Sequence, residues 1–286
     1  MKTPFDHHDA ERPLVTVQLM THPGHLPWLE RAVRSVLAQD LPHALLELQV
    51  VHDGPDSDPT VALLEQLEPE LDFPLSFVGT PVAYGYYCAP RNQALPFARG
   101  AYVAHLDADN EWRPGHLSGL LAAIRTPHGD AGWPHFVYSR REYVEDAEGV
   151  APATPEGPCL GPSPLVEWEH DALQAMINNP QRNFLDTSDF LIGRSVLYEL
   201  AERSQCVWNV ECRRMADWDL AKRLALNGLR GRAVDQVTHI YHWTGDNIQL
   251  TRSIVPGNTV AIPEAVYERM LREGKIRPQA AAEAAE

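Results

Sequence analysis

Residues 101–112 read Ala101-Tyr102-Val103-Ala104-His105-Leu106-Asp107-Ala108-Asp109-Asn110-Glu111-Trp112. A strand-like apolar run stops abruptly at two carboxylates, Asp107 and Asp109, and Pro114 follows where a helix is expected to start. The two aspartates are one residue apart. In a strand they would share a face, and in a turn both can close on one hard cation through oxygen ligands.

Working outward, the same grammar repeats upstream. Leu14–Met20 is a β-branched apolar run that stops at Thr21-His22-Pro23-Gly24, and Leu29, Ala32, Val33, Val36 and Leu37 then recur at helical spacing behind Pro27. Leu46–His52 predicts a second strand, closed by the turn-rich Asp53–Pro59, and Val61, Leu64 and Leu67 mark a short helix. Leu75–Val78 is a third strand, and Ala89–Arg99 a helix interrupted by Pro96 and terminated by Gly100. Tyr102–Leu106 is the fourth strand. Strands alternating with helices imply parallel strands joined by right-handed crossovers with helices on both faces. Such sheets bind ligands beyond the carboxyl ends of their strands. The loops Thr21–Gly24, Asp53–Pro59, Gly79–Gly85 and Asp107–Asn110 are therefore expected to line one crevice.

Downstream, helices are expected around Leu117–Ile124, Leu165–Asn178, Ser195–Arg203, Ala216–Leu226 and Pro263–Glu273. Strands are expected at Phe136–Val144, as a strand or hairpin edge, at Phe190–Ile192 and at Ala233–Trp243. Five prolines and two glycines between Ala151 and Pro164 predict a surface loop or lid.

Composition narrows the function class. The chain has 286 residues with 44% hydrophobic content, enough for a sizeable core, and a net charge of -15 that argues against nucleic acid or anionic lipid as a partner. The four cysteines, Cys88, Cys159, Cys206 and Cys212, lack zinc-site or redox-motif spacing. No apolar run reaches the length of a membrane span and the start lacks a signal-peptide pattern, so a cytoplasmic protein is expected.

Five stretches, in order, resemble the GT-A glycosyltransferases, in particular the inverting family 2. They are Arg34-Ser35-Val36-Leu37-Ala38-Gln39 after the first strand; Val50-Val51-His52-Asp53-Gly54 with Ser57-Asp58; Pro90-Arg91-Asn92-Gln93-Ala94; Leu106-Asp107-Ala108-Asp109, similar to the DxD motif; and Ala216-Asp217-Trp218-Asp219-Leu220, similar to the "ED" helix. Met20-Thr21-His22-Pro23-Gly24 departs from the usual "PTYNR", and Ala216 replaces a common acidic residue.

The resemblance implies an α/β GT-A fold: a Rossmann-like nucleotide-binding half with a mostly parallel central sheet flanked by helices, fused to a smaller acceptor-binding half. Residues 1–12 would be a mobile N-terminus and residues 13–250 one catalytic domain, with a donor half at 13–112 and an acceptor half at 113–250. Residues 251–286 would form a C-terminal helix and tail. The implied activity is inverting transfer from a nucleotide-sugar, a UDP-sugar, to a hydroxyl of a saccharide or other acceptor. A lipid-linked acceptor met by a peripheral enzyme at the membrane stays open. A nucleotidyltransferase acting on a sugar phosphate, or a non-catalytic nucleotide-sugar-binding protein, are the alternatives.

The implied site follows. Asp109 would coordinate Mn²⁺ or Mg²⁺ directly, with Asp107 on the ribose or on the metal through water. Thr21, His22 and Ala108 would lie along the donor. Asp53 could accept from a base N–H or a ribose hydroxyl, or close an Asx-turn. Arg91 could approach the diphosphate, and Asn92 position its loop or a donor hydroxyl. Asp217 would take the proton from the attacking hydroxyl, with an N-cap role as its structural alternative. His242 could be a third metal ligand or a satisfied, partly buried histidine.

Overall fold

A computed structural model describes residues 13–129, 132–145, 153–154, 157–158, 161–163, 165–168, 185–212 and 215–243. The first half follows the expected alternation: β1 (Val15–Thr21), α1 (Leu26–Leu37), β2 (Leu46–His52), α2 (Asp58–Leu67), β3 (Leu75–Gly79), α3 (Cys88–Ala94) and β4 (Tyr102–Asp107). Then come β5 (Glu111–Trp112), α4 (His116–Ile124), β6 (Phe136–Glu145) and three two-residue strands, β7 (Ala153–Thr154), β8 (Gly157–Pro158) and β9 (Gly161–Pro162). The described part ends with β10 (Phe190–Gly193), α5 (Arg194–Ser204), α6 (Ala216–Leu226) and β11 (Gly231–Trp243).

One sheet runs β3-β2-β1-β4-β10-β6-β11-β5, with β9 added beside β6. The first four strands are parallel, as βα alternation demands. β10 is antiparallel to both β4 and β6, while β11 runs parallel to β6. Every residue of β1 and β2 is buried, so the polar side chains there need partners inside the fold. Gln18 and Gln49 sit opposite in register, and Gln18 Nε2 donates to Gln49 Oε1 at 2.7 Å.

Alternation along β4 divides the core. Tyr102, Ala104 and Leu106 pack with α1, α2 and α4, whereas Val103 joins the cluster of Phe136, Trp208, Trp218 and α6. Gln39 joins the layers: its Nε2 donates to Ser35 O and Arg113 O, and its Oε1 accepts the Leu117 N–H at 3.0 Å.

Several expectations shift. The helix before β4 is α-helical only over Cys88–Ala94, and Pro96 lies in a 3-10 turn at Leu95–Phe97. Gly100 is required by a close approach, since a Cβ there would lie 2.4 Å from Thr16 N. β6 is an interior strand: β11 pairs along its whole length on one side, while β10 pairs with its first half and β9 with its second on the other. The proline-rich segment carries paired strands: β7 pairs with β8, and β9 with Glu142–Tyr143. Residues 165–167 have no helical assignment, and the rest of the expected 165–178 helix and the 263–273 helix lie mainly or wholly outside the described residues.

Candidate active site

The carboxyl ends of β1, β2 and β4 come together because their ladders extend into the loops. Asp53 N–H donates to Thr21 O at 3.0 Å, and Ala108 N–H to Met20 O at 2.9 Å. Thr21 is buried and places its carbonyl beneath the crevice, while Ala108 presents backbone. His22 is exposed and caps a short 3-10 turn, its Nδ1 accepting the Gly24 N–H at 3.1 Å.

Asp107 and Asp109 flank this point, one ending β4 and the other in the following turn. Arg91 Nη2 donates to Asp107 Oδ1 at 2.6 Å, and its side chain is 0% exposed. It lies beneath Asp107, not in the open crevice, and its Nε and Nη1 have no hydrogen-bond partner among the described residues. Tyr87 and Trp208 rings flank the guanidinium at 4.3 and 5.1 Å.

Burial raises the Asp107 carboxyl above its ordinary range, although Arg91 pulls it down. Asp109 is pushed up to about 8 by burial and then by the neighbouring charges of Asp107 and Asp186. On its far side, Arg31 Nη2 donates to Asp109 O at 2.8 Å, and His25 Nε2 lies 3.8 Å from Asp109 Oδ2. His25 is held neutral, its pKa lowered to about 3 by burial and by His22.

Carboxylates crowded in this way suit a hard divalent cation, which would relieve their repulsion. Among the described residues no group of three or more His, Cys, Asp or Glu stands ready to hold an ion unaided. The donor set therefore fits a cation that draws further oxygens from phosphate or water. His242 Nε2 lies 3.0 Å from Glu111 Oε1, and the His242 backbone N–H donates to Asn110 Oδ1 at 3.0 Å, both residues just after Asp109.

Asp53 ties down the neighbouring Gly79–Gly85 loop. Its Oδ1 accepts the Tyr84 N–H at 2.8 Å, and its Oδ2 the Gly85 N–H at 2.7 Å. Asn92 clasps the Trp208 backbone with both polar atoms, donating to O at 2.6 Å and accepting from N–H at 2.9 Å. Its side chain ties α3 to the loop around Trp208.

Asp217 lies in the first turn of α6. The N-cap is Met215, in the left-handed region at φ 51°, and not Asp217. Asp217 Oδ1 accepts the Trp218 N–H at 2.7 Å, and its own N–H donates to the Tyr87 hydroxyl at 3.2 Å. Asp219, two positions after Asp217, is fully buried and paired with Arg223 at 2.8 Å.

Sequence reading missed His25, Arg31 and the turn Asp186–Asp189. In that turn Ser188 Oγ accepts the Asp107 N–H at 3.1 Å, and Ser188 O accepts the Trp112 Nε1–H at 2.9 Å. Behind it, Asp189 is fully buried between Arg141 Nη2 at 2.7 Å and His239 Nδ1 at 2.8 Å. The available signal was Asp186-Thr187-Ser188-Asp189 before an apolar run, an acidic version of a capping box, and the structure forms that box.

Residues 21–190 match the family described as Glycosyl transferase family 2. A protein of Escherichia coli strain K12 named for colanic acid biosynthesis, a glycosyl transferase, is 26% identical over 224 residues, covering 78% of this chain and 70% of that protein. A teichuronic acid biosynthesis glycosyltransferase by name, TuaG of Bacillus subtilis strain 168, is 36% identical over 110 residues, 38% of this chain and 41% of TuaG. Among solved structures, S. aureus TarS residues 1–349 superposes with a TM-score of 0.59 at 19% identity, covering 80% of this chain and 60% of that one. The mannosyltransferase PcManGT of Pyrobaculum calidifontis superposes at 0.54 with 21% identity, covering 84% and 60%. The mixed sheet with its four parallel N-terminal strands is the GT-A fold of these structures. The chain belongs to glycosyl transferase family 2.

Proposed function

We propose that this glycosyltransferase moves a sugar from a UDP-sugar to a saccharide hydroxyl with inversion, assisted by Mn²⁺ or Mg²⁺. The observation that best supports it is the Asp107/Asp109 turn, where the half-buried Asp107 and the buried Asp109 crowd a third carboxylate, Asp186, at the carboxyl ends of the parallel strands. TarS has been solved with UDP and with UDP-GlcNAc, and PcManGT with GDP-Man and Mn²⁺. Relatives named for colanic and teichuronic acid biosynthesis support a polysaccharide acceptor. The family match favours sugar transfer over nucleotidyl transfer or donor binding alone.

In this reading residues 13–112 bind donor and 113–250 acceptor. Asp109 and Asp107 hold the cation, which when bound neutralises charge on the diphosphate leaving group. Arg91 orients Asp107, and Arg31 and His25 brace Asp109. Asp53 fixes the 80–85 loop against which the base would rest, and Thr21, His22 and Ala108 frame the donor. Asp217 takes the proton from the acceptor hydroxyl as it attacks the anomeric carbon from the face opposite the leaving group. His242 orients Glu111 and Asn110 beside the turn. Among the described residues no helix is long and apolar enough to cross a membrane. A cytoplasmic enzyme that meets a lipid-linked acceptor at the membrane surface accords with this picture.

The test is a panel of UDP-, GDP- and dTDP-sugars with Mn²⁺, followed by NMR of the product's anomeric proton. Transfer from a UDP-sugar with inverted configuration is expected. Retention, or exclusive use of another nucleotide, contradicts the corresponding part of the proposal.

A further inference from the structure

Tyr87, the residue before α3, touches both sides of the candidate site. The Arg91 guanidinium lies 4.3 Å from its ring centroid, and the same guanidinium holds Asp107 at 2.6 Å. The Tyr87 hydroxyl accepts the Asp217 N–H at 3.2 Å and a hydrogen bond from Thr187 Oγ1 at 3.4 Å. Ser188, next to Thr187, accepts the Asp107 N–H, so the turn closes back on the metal side. The Tyr86 ring lies against Tyr87 in a tilted pair with centroids 4.2 Å apart, and its hydroxyl accepts the Ala216 N–H at 3.4 Å.

The consequence lies at the start of α6. A helix leaves its first N–H groups without intrahelical partners, and a side chain at the N-cap usually receives one of them. Met215 offers no such cap. Two phenol oxygens from the loop between β3 and α3 receive these N–H groups instead. The helix carrying Asp217 is thus tied, through one residue, to the guanidinium that holds Asp107.

We propose that Tyr87 is a positioning residue whose ring sets the Arg91–Asp107 pair and whose hydroxyl sets the backbone of Asp217. One side chain then fixes the spacing between the diphosphate turn and the acceptor base. This rests on the glycosyl-transfer reading above and adds a residue that acts through others, without contact to the reacting atoms. Burial, then Tyr86 and Asp217, raise the Tyr87 phenol well above its ordinary pKa, so it serves as a neutral hydroxyl throughout the working pH range.

Two variants separate ring from hydroxyl. Tyr87→Phe keeps the ring over Arg91 and removes the oxygen; Tyr87→Leu removes both. With rates referred to folded enzyme by thermal melts, Tyr87→Phe is expected to lower kcat about tenfold, the kinetic equivalent of losing the hydrogen bond that sets the Asp217 backbone, with donor KM and UDP–Mn²⁺ affinity unchanged. Tyr87→Leu is expected to weaken UDP–Mn²⁺ binding as well, about tenfold by calorimetry, because Arg91 loses its support. Wild-type kcat per folded molecule in Tyr87→Phe, with only a lowered Tm, would overturn the proposal while leaving glycosyl transfer intact. No transfer by the wild-type enzyme across the donor panel would overturn the underlying reading, and this proposal with it.

Discussion

Arg91 holds Asp107 through a 2.6 Å ion pair in which the guanidinium is completely buried and the carboxylate keeps 19% exposure. The cation is therefore a fixed part of the fold, and the carboxylate is the member that can reach a ligand. Removing a partner from a buried pair is costly because the remaining charge is stranded. Arg91→Met should destabilise the protein by about 3 kcal/mol, the low end for a buried pair because Asp107 is partly solvated. Arg91→Met/Asp107→Asn should recover part of that loss in urea denaturation. A double variant less stable than Arg91→Met would contradict the pairing.

Asp109 gives the site a pH dependence of definite sign. Its folded pKa, about 8, lies above the ordinary carboxyl value of 3.8, so the neutral form favours the folded state. Its contribution to stability is full below about pH 4 and is lost as pH rises through about 8. In EDTA, the wild type should lose stability relative to Asp109→Asn over that window, by urea denaturation at successive pH values. Mn²⁺ must displace the proton, so its stabilising effect should grow from pH 6 to pH 8.5. Parallel stability curves for wild type and Asp109→Asn would refute the assignment.

Asn92 offers a control within the same motif as Arg91. Its two hydrogen bonds to the Trp208 backbone are structural. Asn92→Ala should cost about 1–3 kcal/mol by leaving buried backbone groups unsatisfied, with donor KM changed less than threefold in the folded fraction. A large rise in donor KM at unchanged stability would restore a direct donor role for Asn92.

The four parallel strands and α6 were legible in the sequence because their signals are local. β1 and β2 are apolar runs buried on both faces, and Ala216–Leu226 carries its own periodicity. β6 was harder to place. The turn-forming sequence Asp146-Ala147-Glu148-Gly149 after it makes it read as a hairpin edge, yet Arg141 is buried and paired with Asp189, far along the chain. Antiparallel β10 follows from long-range pairing that no short window encodes. In the site, Asp107, Asp109 and Asp217 could be singled out by motif and order. His25, Arg31 and Asp186 could not, since their relation to Asp109 exists only after β1, α1 and the 186–189 turn converge. Asp53 and Asn92 were found as residues, but the backbone groups that engage them became visible only in three dimensions.

The central claim is most directly tested by Asp217→Asn, assayed with UDP-sugar, Mn²⁺ and a saccharide acceptor alongside calorimetry of UDP–Mn²⁺ binding. Loss of a positioned general base should lower kcat by about 10²–10⁴-fold while UDP–Mn²⁺ affinity stays within twofold of wild type. Undiminished transfer, or an equal loss of nucleotide binding, would contradict the account.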